Sequence, residues 1–447
     1  MEIEHNIEVF EIDRKSAVAI TVNADHVWRE EKDTQPIEIE KGLSYMPWGD
    51  DNMIPYEVIK LIEQDETITT CMQFNSEICY GGGLEYDCSL ASESIRKKVD
   101  EFVLRNNLAG YFYGLCLDLK HFAFAISIVY LNANKEIVRV VRKDAANCRF
   151  APADKKGRIP YILYGNWQKG ISSKNEVEKI PLLDSDFPID DLLVTLGREP
   201  GDDGKKHVRS ESTKFAVLTK IPCSDNMYYP IPPYAALFRG KWYNIKNLIG
   251  VAKEANLKNS APIKYLVEIS DKYFERIFKS AGITDEVKKR ERVKSEKAKI
   301  IDYLTGAENS GKALFANFYA SPDGKEIHDV KITKIDEDGK QGGDWATDMV
   351  EAINMVCFSM RVHSNLVGSV PSKSQTNNSG SDKRELYTIA QALQKPYHDL
   401  VSLVHNLIIY INGWEGVKPN YPFIQLTTLD ENKDAKKVSL EQNKTEE

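Results

Sequence analysis

The sequence predicts an α+β fold, mainly helical, and three observations carry that reading. Apolar side chains recur at three- and four-residue steps across residues 234–258 and 345–414, while residues 123–131 alternate apolar and polar positions. A highly charged stretch, 271–304, is flanked by short strand-like runs, as expected of a small α/β module. With 447 residues, 42% of them hydrophobic, the chain can bury more than one core and several subdomains are expected.

Charge and cysteine usage narrow the class. The 59 basic and 67 acidic residues give a net charge of −8, the wrong sign for a protein whose main task is gripping nucleic acid without specificity. The seven cysteines (71, 79, 88, 116, 148, 223 and 357) include no CxxC pair, so they read as buried thiols of a reducing compartment. Residues 1–10 are rich in glutamate, and no run approaches the roughly 20 apolar residues that span a bilayer. Neither secretion nor membrane insertion is expected.

In chain order, residues 1–45 show little periodicity beyond a possible strand at 17–22 and form an N-terminal arm. From Pro55 the spacing of Val58, Ile59, Ile62, Met72 and Phe74 predicts a helix that Gly81, Gly82 and Gly83 end. A second helix follows at 92–104. Phe124, Ile126, Ile128 and Tyr130 share one face of a strand, and the turn at 132–135 leads into a partner strand at 137–142. Further strands are expected at 147–151 and 159–164, whereas 184–209 is acidic, glycine-punctuated and reads as a mobile loop insertion.

The run Tyr228, Tyr229, Pro230, Ile231, Pro232, Pro233 and Tyr234 is extended, since each proline biases its predecessor away from helix. A helix to about Lys258 follows, with Tyr234, Phe238, Trp242, Ile245, Ile249 and Ala252 on one face and a thin end at Gly250, Ala252 and Ala255 that permits close packing. Strands are expected at 262–269, 313–319 and 327–335, with one or two charged helices at 271–304. Trp345, Met349, Ala352, Ile353, Val356 and Met360 mark an amphipathic helix ending near Arg361. Residues 369–382 then turn polar. A long helix follows, capped by Asp382, with the face Leu386, Ile389, Leu393, Tyr397, Leu400, Val404, Leu407 and Ile411, a kink at Pro396 and an end at Gly413. One more strand-like stretch lies at 423–427, and 430–447 has the composition of a disordered tail.

This order of elements, over residues 45–425, resembles the portal proteins of tailed bacteriophages. The resemblance implies an arm at 1–45, a wing at 46–227 carrying the 184–209 insertion, an approach and first stem helix at 228–258, and a clip at 259–338. A second stem helix at 339–361, a tunnel loop at 362–381, a kinked wing helix at 382–414 and a C-terminal strand and tail at 415–447 complete it. The helical crown of the family is absent or truncated.

The resemblance also implies a role without enzymatic activity or cofactor. Such a protein forms a dodecameric ring at the special capsid vertex, a channel for packaging, retention and ejection of double-stranded DNA without sequence specificity. Its partners are the large terminase subunit, a head-tail adaptor, and the major capsid and scaffolding proteins. It is made in the host bacterial cytoplasm and resides in the virion. His363, Asn365, Lys373, Gln375, Asn377 and Asn378 become the DNA-facing residues of the tunnel loop; the plainer reading is a generic exposed loop. Mostly uncharged contacts suit a conduit, because each phosphate neutralised by a cation strengthens a grip that would stall translocation.

Three motifs compete with this reading. Residues 306–313, GAENSGKA, approach a phosphate-binding loop, but Ala313 replaces the magnesium-binding hydroxyl and a charged helix precedes where a strand belongs. A glycine turn in the clip is preferred to a nucleotide-binding enzyme. Lys288, Lys289, Arg290, Arg292 and Lys294 form the densest basic run, either a solvated face interleaved with Glu286, Glu291 and Glu296 or a docking face for a motor or adaptor. His398 and His405 are seven residues apart with no further ligand, so they are expected to be ordinary packing or surface histidines, and no catalytic constellation or metal site is found. A monomeric helical adaptor or scaffold is the other alternative.

Overall fold

The computed structural model describes residues 35–201, 204–224, 228–259, 265–305, 318–320, 326–334, 345–367 and 380–426. The chain divides into two compact units, a body within residues 1–249 and 346–447 and a second unit within 250–345. Helices combine with small antiparallel sheets, an α+β architecture.

The body opens where sequence reading places the end of an arm. Residues 37–45 form a hairpin of β1 (Ile37–Glu40) and β2 (Leu43–Tyr45), and the Tyr45 ring packs 4.6 Å from that of Trp167. The strand expected at 17–22 lies outside the described residues. The helical stretch from Pro55 is two helices, α1 (Ile54–Glu63) and α2 (Glu66–Tyr80). Asp65 divides them: its backbone is extended and its carboxylate accepts from the N–H groups of Thr67 and Ile68, 3.0 Å each, capping α2. Gly81, at φ +50°, ends α2 as expected.

A short strand, β3 (Glu85–Asp87), leads to α3 (Glu93–Arg105), capped by Ser92, and to α4 (Leu108–Phe122). Sequence reading passes over α4. Its buried residues, Leu108, Tyr111, Phe112, Leu115, Cys116, Leu119 and Phe122 among them, share one face, but Ala109, Tyr113 and Leu117 put apolar residues on the other, so no clean polar stripe marks the period.

The central sheet contains β4 (Phe124–Leu131) between β5 (Ile137–Lys143) and a later strand, all antiparallel. A second sheet joins β6 (Cys148–Phe150), β7 (Tyr161–Gly165) and β8 (Val177–Pro181). The expected mobile insertion instead contains α5 (Pro188–Thr195), whose Leu192 and Leu193, with Leu196 beyond its end, are buried in the body. Pro188 in the first turn and Asp190 and Asp191 beside it suit a helix N-terminus despite the acidic composition. The third strand of the central sheet, β9 (Lys214–Lys220), pairs with β4 from Phe124↔Lys220 to Tyr130↔Lys214.

This sheet separates two cores. Phe124, Ile126 and Ile128 of β4 face one, with α1, α2 and the second sheet; Ala125, Val129 and Leu131 face the other, with α3, α4 and α5. Both sides of β4 are therefore buried.

After the tyrosine and proline segment, the single helix expected over 234–258 is α6 (Ala235–Arg239) and α7 (Trp242–Asn259). Gly240, extended at ψ 178°, interrupts them, and the restart rotates the buried face of α7 onto Tyr243, Lys246 and Ile249. Among the described residues, a side chain at Gly250, in the thin end of α7, would meet nothing within 4 Å.

The second unit contains β10 (Tyr265–Ile269), α8 (Asp271–Ser280), α9 (Glu286–Thr305), β11 (Phe318–Ala320), β12 (Glu326–His328) and β13 (Val330–Lys334). β10 pairs antiparallel with β13, and β11 with β12. The near phosphate-binding loop at 306–313 lies outside the described residues, and α9 precedes it, as the reversed context requires.

The body resumes with α10 (Trp345–Ser359), the single turn α11 (Ser364–Val367), α12 (Gly380–Ala392), α13 (Lys395–Ile411) and β14 (Lys418–Asn420), which pairs with β3. The long kinked helix is thus two helices. The chain breaks at Leu393 and Gln394, and Pro396 falls in the first turn of α13, where its missing N–H is not needed. Asp382 lies inside α12 rather than capping it. Val401, Val404, Leu407, Ile408 and Ile411 enter the second core, but Ile389 on α12 and Leu393 at the break are exposed. Gly413, at φ +64°, follows the last turn. The final strand precedes the expected 423–427, of which 423–426 are described and carry none.

Candidate functional site

The residues that position the approach and the expected tunnel segment come together within the body. The approach is fastened first. The Tyr229 hydroxyl donates to the Met46 carbonyl at 2.7 Å and accepts from the Phe150 N–H at 3.2 Å, while its ring stacks on Trp48 at 4.5 Å and 7°. The Tyr228 hydroxyl accepts from the Ala153 N–H at 2.9 Å, and Tyr234 donates to the His121 carbonyl.

Further along, α7 is held by an ion pair. Lys246 Nζ lies 2.9 Å from Asp65 Oδ1, both groups nearly without solvent exposure, and 3.1 Å from the exposed Glu66. Asp65 thus caps α2 and anchors α7 through one carboxylate. Sequence spacing offers a sign of this lysine, which stands four residues after Trp242 and three before Ile249 on an otherwise apolar face.

The return helix α10 packs Val356 and Cys357 into the first core, joined by Met360 just past its end, with Cys357 Sγ 3.7 Å from Cys71 Sγ of α2. Asn75 Nδ2 donates to the Met360 carbonyl at 2.9 Å. Arg361 closes the helix at φ +58°, a conformation that costs a residue with a Cβ about 1 kcal/mol. The Val362 N–H then donates to the Cys357 carbonyl at 2.9 Å, and the Val362 side chain is buried.

The first residues of the expected tunnel loop are therefore a packed turn and α11, not a polar loop. His363 is exposed; Asn365, half-buried in α11, donates its N–H to His363 Nδ1 at 3.3 Å. Lys373, Gln375, Asn377 and Asn378 lie outside the described residues.

A cavity of about 80 Å³ lies where α2, α4, the end of α10 and the α12/α13 break meet, lined by Asn75, Lys120, Arg361, Leu393, Gln394 and Tyr397 among others. Lys120 Nζ donates to Gln394 Oε1 at 2.7 Å and sits 3.2 Å from the centroid of the Tyr397 ring. Burial, only partly offset by the nearby thiols Cys79 and Cys116, pushes its pKa down to about 8. The space suits a few waters, and the lysine's partners belong to the helix break. Its chemistry is that of a fastener, tying the α12/α13 break to α4. Sequence reading misses Lys120 because α4 itself goes unseen.

The predicted basic residues occupy α9 of the second unit. Lys288, Arg290, Arg292 and Lys294 are exposed and Lys289 is half-buried. Lys289 pairs with Glu286 at 2.8 Å, and Arg292 and Lys299 both reach Glu296 at 3.0 Å.

The two histidines of α13 pack, as expected. His398 bonds to the Cys79 carbonyl at 2.7 Å and stacks on Tyr421, and His405, fully buried, bonds through Nδ1 to the Tyr86 hydroxyl at 2.7 Å. Among the described residues, no group of three or more His, Cys, Asp and Glu side chains could hold a metal ion, and no helix is long and apolar enough to cross a membrane.

No protein-family model matches the chain, and no curated protein matches it. Among solved structures it is similar to a chain from the virion of a native gene transfer agent particle, at 10% identity and a TM-score of 0.46, over 84% of this chain and 85% of that one. It is also similar to a chain in the neck of an empty particle of that kind computed with C6 symmetry, at 12% identity and a TM-score of 0.48, over 85% and 87%. A chain in the neck of a native particle computed with C12 symmetry matches at 12% and 0.47, over 85% and 88%.

Proposed function

We propose that this chain is a portal subunit of a tailed-phage-like particle: a non-enzymatic virion component that forms a ring around a DNA channel and offers docking faces to a packaging motor and a head-tail adaptor. One observation carries the reading. The chain leaves the body along α7, builds a separate unit within 250–345, and re-enters the body along α10, which leads directly into the 362–381 segment and the interrupted helix. In this reading α7 and α10 are the stem helices, the second unit is the clip, and Lys373, Gln375, Asn377 and Asn378 face DNA without sequence preference.

Exposed side chains add support. Leu248 and Val251 on α7, Phe358 on α10, Ile389 on α12 and Leu393 just past its end are each about half exposed or more, apolar surface that neighbouring subunits would cover. The anchored start of the 362–381 segment suits a loop that must bear load from moving DNA.

Particle mass tests the proposal. Twelve subunits of 50.7 kDa give about 608 kDa, which light scattering resolves from a monomer, and negative-stain images should show a ring with a central channel. A particle that stays monomeric both alone and with capsid and scaffolding proteins would overturn the ring and favour a monomeric adaptor.

A further inference from the structure

We infer that the groove between α8 and α9 is a docking site for an acidic, amphipathic helical segment of a different protein. The inference deepens the docking face proposed above and rests on that reading of the second unit.

Burial is the first argument. Among the side chains described between Ile249 and Ala352, the buried ones are the acidic Glu296 and Asp329. Helix α8 nevertheless has a pronounced apolar face, Tyr273, Phe274, Ile277 and Phe278, all half-buried, and Val287 of α9 is 65% exposed. An amphipathic helix normally hides such a face against its own core. Here, among the described residues, the face is left half-buried.

Shape and charge identify what covers it. The groove, about 660 Å³, has an apolar floor of Phe278, Val293 and Ala298 and a rim of Lys289, Arg290, Lys294 and Lys297, with Glu286 the one acid lining it. Lys289 is already paired with Glu286, but Arg290, Lys294 and Lys297 make no ion pair among the described residues. An occupant must bring carboxylates for the rim and apolar side chains for the floor, as a helix with one apolar stripe does. Groove-to-groove pairing of two copies would set cations against cations, and a contact with another face of a neighbouring copy would show as a change of particle mass in the test below. A nucleic acid would satisfy the rim and leave the floor uncovered.

The test uses the full-length chain and a fluorescent synthetic helix about four turns long, with leucines at three- and four-residue steps and glutamates elsewhere. Two control peptides carry the same composition in scrambled order, or lysine for every glutamate. Fluorescence anisotropy should show the acidic amphipathic peptide binding about tenfold or more tightly than either control, and more weakly as salt rises. Arg290→Glu, Lys294→Glu and Lys297→Glu combined should weaken it at least about tenfold, and Val293→Ser alone should weaken it without altering the salt dependence. The exposed charge reversals leave circular dichroism unchanged.

Equal binding of ordered and scrambled peptides, or indifference to the charge reversals, overturns the inference. Displacement of the peptide by duplex DNA at comparable affinity would reassign the face to phosphate, and a change of particle mass in Val293→Ser would reassign it to self-contact. The two proposals fail separately: a ring that does not bind the peptide refutes the groove alone, and a monomer that binds it refutes the ring alone.

Discussion

At the scale of single residues, His405 shows what burial does to a titratable group in the second core. Desolvation pushes its pKa down to about 3, against roughly 6.5 for a free imidazole. The unfolded chain therefore takes up a proton that the folded chain refuses. The contribution of His405 to stability is fully present above about pH 6.5 and drains away as pH falls toward 3. The stability gap between wild type and His405→Gln, from denaturant titrations, should shift against wild type by about 3 kcal/mol between pH 7 and pH 4. A gap that holds constant would mean that the folded imidazole takes up its proton at the same pH as the unfolded one. The packing role of His405 was legible in the spacing of its apolar neighbours. Arg149 was not: a lone arginine in a three-residue strand carries no periodic mark. Yet it is completely buried, donates to the carbonyls of Asn52, Ala146 and Cys148 at 2.8 Å each, and lies between the rings of Trp48 and Trp167.

At the scale of elements, spacing finds helices but not their interruptions. The stretches from Pro55, from Tyr234 and from Asp382 each keep apolar residues at helical intervals across a break, and each break is made by backbone chemistry that a periodicity count does not weigh. Asp65 caps, Gly240 extends the chain, and Gln394 precedes the first turn of α13. Helix α4 escapes for the opposite reason, because apolar residues lie on both its faces. Pro396 distinguishes a kink from a break. In a helix interior, replacing it would recover a lost hydrogen bond and relieve a clash, together about 3 kcal/mol. At the second position of α13 it costs nothing to keep, so Pro396→Ala should change stability by less than about 1 kcal/mol, read from the midpoint of thermal unfolding. A gain near the larger figure would restore the continuous kinked helix.

At the scale of the whole molecule, the body and the second unit differ in what holds them together. The body has two apolar cores on opposite faces of one sheet, and its approach segment, α7 and α10 are tied down by Tyr229, the Lys246 and Asp65 pair and Asn75. The side chains described in the second unit are half-buried apolar groups and ion pairs, some at the surface, contributing roughly 0 to 1 kcal/mol each, and some made by the buried carboxylates Glu296 and Asp329. Regions with little buried apolar area open at the low end of a protein's stability range. Calorimetry of the isolated chain should therefore resolve two transitions, the second unit melting first. Brief trypsin treatment below the first midpoint should cut within the lysine- and arginine-dense α9 and leave the body intact. An acidic amphipathic peptide that fills the α8 and α9 groove should raise the first transition and leave the second unmoved, because a ligand stabilises only the unit whose folded form it binds. A single cooperative transition, or first cuts within the body, would mean that the second unit draws its stability from contacts other than the half-buried apolar surface on which the docking inference depends.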